Sequence, residues 1–278
     1  WTARVPVLAA ALGRPAPQGP VPGTAAGLVP ILAALVDAAD PAQAWLALAV
    51  LSGELPTEEV VQEAARSGEL DGGLALAAAV ASATTARSVP GRVIVSAGVL
   101  VDVDHTVGAA FTTGIQRVVR ETAGRWAADG RGQPVAWTEG HRALRELTPA
   151  ERAAVLDRRP VPGSGAVRPA ATTVVVPWGG AYLLPELALE LPRVDRVRAL
   201  ARYARVRTGA IGYDCVPVTS AETVALGIGN FARNLAALKH VDRLTTISRA
   251  AAGEYGGWRA MLAGSGLASG SDGWSWPW

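Results

Sequence analysis

Only one cysteine, Cys215, and one lysine, Lys239, stand among the 278 residues. A lone cysteine excludes an internal disulfide and any metal site built from several thiolates, and it permits a reducing compartment. Long apolar runs are lacking too. The richest blocks, residues 44–51 and 74–83, fall short of the roughly 18–20 residues that cross a bilayer, so no membrane span is expected. The chain begins at Trp1 without a basic start, an apolar stretch and a small-residue cleavage site, so no signal peptide is expected and the expected location is cytoplasmic. Dense basic stripes with interleaved aromatics are missing, which argues against a nucleic-acid partner.

What is present is apolar: such residues make up 50% of the chain, enough for one substantial core or a core with a small module. The net charge is only +2, yet it is unevenly spread, with 4 Arg against 8 acidic residues in positions 1–90 and 22 basic against 16 acidic afterwards. That asymmetry suits an anionic small ligand or a peripheral contact with a membrane surface. Nothing in it bears on oligomeric state.

Six prolines in the first 30 residues, with interspersed glycines, predict a linker over 1–27. Residues 28–88 are Ala- and Leu-rich in short blocks and predict three or four short helices, an accessory region without chemistry of its own. Ser88, Val89, Pro90 and Gly91 mark a boundary. Beyond it, strand-like runs at 93–103, 134–137, 172–176, 209–214 and 243–247 alternate with helical ones at 113–128, 149–157, 193–205, 221–238 and 249–262. Alternation of this kind predicts an α/β fold, a Rossmann-like parallel sheet with helices on both faces, over 91–267. Capping boxes at Thr148 with Glu151 and at Thr219 with Glu222 mark two helix starts. Residues 268–278, Gly/Ser-rich with three tryptophans, read as a disordered tail, with a sugar or membrane-interface contact as the alternative.

The densest chemistry lies between Val99 and Glu121. Asp102, Asp104 and His105 end a buried strand, and Thr113 and Gln116 stand three apart, the spacing of a capping box. Ile115, Val118, Val119, Thr122 and Trp126 make one apolar face of the helix that follows. Gly114, without a Cβ, leaves the first-turn N–H groups approachable by an anion such as phosphate. Arg117 reaches either a phosphate or Glu121. In a parallel α/β sheet ligands bind at the carboxyl ends of the strands, where Gly179, Gly180, Asp214 and Ser248 are also expected. Asp214 is the candidate catalytic carboxylate, placed to orient an acceptor hydroxyl or take its proton, with an Asx turn into Pro217 as the alternative. Ser248 either caps its helix or touches ligand. The three histidines are not in ligand spacing and no metal site is expected. Neither the Gly-x-Ser-x-Gly elbow nor the Gly-x-Gly-x-x-Gly fingerprint after the first strand is present.

Residues 113–120, Thr-Gly-Ile-Gln-Arg-Val-Val-Arg, after an Asp-rich strand end resemble the first β-α unit of family 4 glycosyltransferases, two-domain enzymes of the GT-B fold. Residues 174–180 with Leu184, Pro185 and Glu186, the strand end at 211–218, and residues 242–249 resemble later segments of the same N-terminal domain, so the likeness covers about 92–267. Where many members carry His-Asp, this chain has Tyr213 and Asp214. The resemblance implies transfer of a hexose from a nucleotide-diphosphate sugar to a hydroxyl of a small-molecule or glycan acceptor, with retention. It implies no cofactor besides that co-substrate. Asp214 would be catalytic, and Thr113, Gly114, Gln116, Arg117, Gly179, Gly180 and Ser248 would bind substrate. No paired-glutamate donor motif follows residue 267, so the chain is expected to be the acceptor-side half, a fragment with little activity alone. A non-catalytic binding or scaffolding module, or a decayed gene fragment, is the competing expectation. A nucleotide-sugar dehydratase or epimerase is excluded, because Leu235 stands where the Tyr paired with Lys239 should be.

Overall fold

The computed structural model describes residues 1–21, 23–86, 91–109, 113–157, 173–220 and 227–267. The expected boundary at 88–90, the capping box that Glu222 would close, and the tail 268–278 lie outside them.

Five helices come first: α1 (Val5–Ala11), α2 (Ala25–Leu35), α3 (Pro41–Ser52), α4 (Glu58–Asp71) and α5 (Leu74–Ala86). The predicted linker thus contains α1 and the start of α2. Pro6 falls in the first turn of α1, where no intrahelical donor is lost, and Val5, Leu8 and Ala9 are buried. Asp40 starts α3 by accepting from the Ala42 N–H at 2.8 Å, and Gly53, at φ 75°, ends it. Residues 44–52 of α3 are all buried, which explains a segment apolar on every side.

An eight-stranded sheet follows, ordered β1-β5-β4-β3-β2-β6-β7-β8. Its strands are β1 (Arg92–Ser96), β2 (Val99–Asp102), β3 (Gln133–Trp137), β4 (Leu144–Glu146), β5 (Thr173–Pro177), β6 (Ala181–Leu184), β7 (Arg207–Gly212) and β8 (Arg243–Thr246). All neighbours pair in parallel except β4, which is antiparallel to β3 and β5. The connecting helices are α6 (Asp104–Gly108), α7 (Gly114–Ala128), α8 (Pro149–Leu156), α9 (Leu191–Tyr203), α10 (Val216–Thr219), α11 (Gly227–Leu238) and α12 (Arg249–Gly264). The fold is therefore α/β and Rossmann-like, with helices flanking a mostly parallel sheet.

The single strand expected over 93–103 is two, β1 and β2, joined by Ala97 and Gly98. Strands β5 and β6 are joined by Trp178, Gly179 and Gly180 in the same manner. Ser96 stands opposite Pro177 and Val99 opposite Ala181, so the second path carries one extra residue, a bulge that re-aims both strands. Gly179 supplies its left-handed φ of 72°. A Cβ on Gly180 would lie 2.3 Å from the Gly98 carbonyl oxygen and 2.4 Å from that of Ala97. The two turns are stacked backbone on backbone.

One core joins the N-terminal helices to the sheet through Trp45, Leu46, Leu51, Val174, Val176 and Leu200. A smaller one, Val101, Val103, Val119, Ala123 and Val155, lies under α7 and α8. The acidic N-terminal region also pairs with the basic remainder: Glu54 with Arg142 at 2.7 Å, Glu58 with Arg198 at 3.0 Å and with Arg202, and Asp40 with Arg205 at 2.7 Å. These contacts give the charge asymmetry a structural use within the chain.

Gly180→Ala is expected to destabilise the fold by about 1–3 kcal/mol, because only backbone can yield to the new methyl group. Urea unfolding of the variant checks it, and an unchanged midpoint would contradict the stacked-turn account.

Candidate functional site

The chain moves from β2 to β3 in one direction across the sheet and from β6 through β7 to β8 in the other. The reversal between β2 and β6 is a topological switch point, where a parallel α/β sheet opens a crevice at its carboxyl edge. Asp102 ends β2 there, and Pro185 and Glu186 follow β6.

At this edge lies a buried ionic network. Arg193, on the first turn of α9, is fully buried. Its Nη2 lies 3.0 Å from Asp102 Oδ1 and 2.7 Å from Glu186 Oε1, and its Nη1 donates to the Leu187 carbonyl at 3.2 Å. Asp102 Oδ2 accepts from Trp137 Nε1 at 2.7 Å and from the Tyr182 hydroxyl. Glu186 accepts from the His105 N–H at 2.6 Å, the Thr106 N–H at 3.0 Å and the Thr106 hydroxyl at 2.9 Å. A carboxylate from the turn after β6 thus caps α6 across the switch point. Asp104 accepts from the Trp137 N–H at 2.8 Å and lies 3.2 Å from His141 Nε2. His141 takes a left-handed φ of 53°.

Burial pushes the Glu186 carboxyl up to about 7, against the pull of Arg193 and with a further push from Asp102 and Asp104. Burial would lower Arg193, but the surrounding carboxylates prevail and hold its guanidinium charged. Tyr182 is raised by burial and by Asp102 beside it, so its hydroxyl stays a donor. Among the described residues no group of three or more His, Cys, Asp or Glu is arranged to hold a metal ion.

Above the network, α6 leads toward α7. Gln116 is buried, and its side-chain oxygen accepts from the Thr113 N–H at 2.9 Å and from the Thr113 hydroxyl, so the expected capping box forms. Gly114 is exposed, with nothing within 4 Å of where a Cβ would stand. Arg117 is exposed. Asp214, exposed past the end of β7, accepts from the Val216 N–H at 3.3 Å, the geometry of the Asx turn. Ser248 caps α12 by accepting from the Ala251 N–H at 3.1 Å. These residues share the carboxyl edge.

Gly179 and Gly180 do not. They precede β6, and the Gly180 carbonyl accepts from the N–H of Arg207, the first residue of β7. They therefore lie at the opposite end of β7 from Asp214, which follows Gly212. Both glycines do follow the end of β5 at Pro177, but the strand resumes at once as β6 and carries the carboxyl edge onward. Their expected place in the crevice is corrected: Gly180 serves the stacked turns.

Searches against protein-family models, curated proteins and solved structures find no match for this chain. Sequence reasoning missed Trp137, His141, Tyr182 and Arg193 as members of it. One signal was available for Arg193, which occupies an apolar-stripe position with Val197, Leu200 and Ala204.

Removing the buried cation strands two buried carboxylates, so Arg193→Met is expected to cost about 3–5 kcal/mol. Arg202→Met, at a partly exposed ion pair, should cost about 0–1 kcal/mol by the same urea titration. The Glu186 carboxyl ordinarily titrates near 4.5 and here near 7. The native state thus holds a proton the unfolded chain has lost, a stabilisation complete below 4.5 and gone as pH rises through about 7. His240, which burial and nearby Arg202 and Lys239 lower to about 4, contributes the opposite slope. It does so equally in Glu186→Gln, so wild type should lose stability relative to that variant between pH 5 and 8. Parallel curves would refute the raised Glu186.

Proposed function

We propose that this chain is the acceptor-side half of a glycosyltransferase that moves a hexose from a nucleotide-diphosphate sugar to an acceptor hydroxyl with retention, in the cytoplasm. The observation that carries the reading is the carboxyl edge. An exposed α7 N-terminus at Gly114, the exposed Asp214 carboxylate and the capped start of α12 all follow strand ends at that edge, where a switch point favours ligand binding. Its ordered similarity to the N-terminal domain of family 4 enzymes, from 113–120 through 242–249, supplies the reaction class.

In this reading Asp214 orients the acceptor hydroxyl and takes up or shares its proton. The first-turn N–H groups of α7 and Arg117 stabilise negative charge on the diphosphate or the acceptor across the cleft. Gln116 and Ser248 spend their side chains holding helix starts in shape and act by positioning. Gly179 and Gly180 take no part. Among the described residues no second α/β unit faces the crevice, so these residues alone are expected to transfer little.

A scaffolding module is the weaker reading. The acidic groups α4 and the α3 flanks would offer a partner are engaged with Arg142, Arg198, Arg202 and Arg205 of the same chain.

Ligand-observed NMR against polyhydroxylated acceptors and nucleotide diphosphates tests the proposal. Acceptor binding should vanish in Gly114→Trp and weaken in Asp214→Asn, while nucleotide diphosphates bind no tighter than about 1 mM, some 4 kcal/mol. Micromolar nucleotide binding, or acceptor binding indifferent to Gly114→Trp, would overturn it.

A further inference from the structure

Among the described residues, one face of the sheet carries no helix beyond α7. Arg207, Gly209 and Ile211 alternate onto the same side of β7, and the parallel register sets Leu183 and Arg243 beside Gly209 and Thr245 beside Ile211. Helix α7 forms one wall through Thr122 and Trp126. The resulting cavity, about 420 Å³, runs from Arg243 at the amino end of the strands to Pro185 at the carboxyl end. Its floor is apolar. Gly209 deepens it, since a Cβ there would lie 2.9 Å from Leu183 Cδ2.

The amino end differs. Arg207 and Arg243 are both exposed, and among the described residues neither has a carboxylate partner. Arg243 lines the cavity and Arg207 stands just beyond it, on the same side of β7 two residues before Gly209; two such guanidinium groups match an anionic head on an apolar chain, because a guanidinium binds a carboxylate through charge-assisted hydrogen bonds. A volume of this size with a few polar groups at one end also falls in the range of small-molecule sites.

We propose that this groove binds a soluble single-chain anionic amphiphile of the fatty-acid class, its carboxylate on Arg207 and Arg243 and its chain laid over Gly209 and Ile211 toward Pro185. The site is separate from the carboxyl-edge crevice and does not depend on the glycosyltransferase reading. No bond is made or broken.

Isothermal titration of the full chain with dodecanoate, kept below micelle-forming concentrations, tests it, with dodecanol as the uncharged control. The wild type should bind one dodecanoate. Arg207→Ala with Arg243→Ala should weaken dodecanoate by about tenfold or more, the scale of lost charge-assisted hydrogen bonds, and leave dodecanol unchanged. Gly209→Leu should abolish both. That backbone is not left-handed and the displaced neighbour is the movable end of Leu183, so the variant is expected to fold, which circular dichroism checks. Failure of the wild type to bind, or retained binding in Gly209→Leu, overturns the proposal. A concentration-dependent dimer that Gly209→Leu dissociates would assign the face to a second copy instead. Sedimentation with phosphatidylglycerol vesicles that depends on Gly209 would assign it to a bilayer, and either result overturns the proposal as well.

Discussion

The guanidinium of Arg193 is the contact on which the carboxyl edge depends. Fully buried, it draws Asp102 from β2 and Glu186 from the end of β6 onto a single nitrogen. Those two strands flank the point where the chain reverses its direction across the sheet. A charge moved out of water at such a place is costly unless it is paired and hydrogen-bonded, and here both terminal nitrogens are, while Nε is buried without a partner. Asp102 is also held by Trp137 and Tyr182, and Glu186 by the backbone of α6. The network thereby fixes where α6 begins.

Much of the fold was legible because local chemistry and global topology agree. Thr113 with Gln116 and Thr148 with Glu151 mark helices that begin where expected, and the β-branched runs near 174, 209 and 243 are strands. The split of β1 from β2 was hidden by continuous apolar character through Val93, Ile94, Val95, Val99, Leu100 and Val101, with only Gly98 to hint at a turn. Strands β4 and β6 are too short for alternation to show. Prolines at 6 and 30 suggested coil, yet one sits harmlessly in a first turn and the other lies inside α2, which buries Leu28, Leu32 and Leu35. Tertiary burial outweighed the breaker signal.

The site was half legible for a related reason. Residues that act through backbone geometry, such as Thr113, Gly114 and Ser248, leave a signature in their own spacing. Residues joined only across the sheet do not. Trp137 comes from β3, Tyr182 and Glu186 from β6 and the turn after it, and Arg193 from α9, and nothing in their local pattern says they meet. Gly180 shows the converse. A glycine pair after a strand suggested room for a ligand, whereas its missing Cβ makes room for the chain itself.

Both features of the sheet, the crevice and the open groove, follow from one rule of handedness. A strand-helix-strand crossover between parallel neighbours is right-handed. Moving from β2 to β3 therefore puts α7 on one face, and moving the opposite way from β6 to β7 to β8 puts α9 and α11 on the other. Arg259 of α12 donates to the Val241 carbonyl at 2.8 Å, which brings that helix back to the amino end of β8, and Tyr255 packs its ring against Gly212, a residue of the face that carries Thr208 and Ala210. The α7 side of β7 and β8 is thus left without a helix of its own among the described residues. The reversal at the carboxyl edge is the same one that leaves Gly209 and Ile211 without a helix over them among the described residues, so the polar edge and the apolar groove both follow from a single change of direction in the chain.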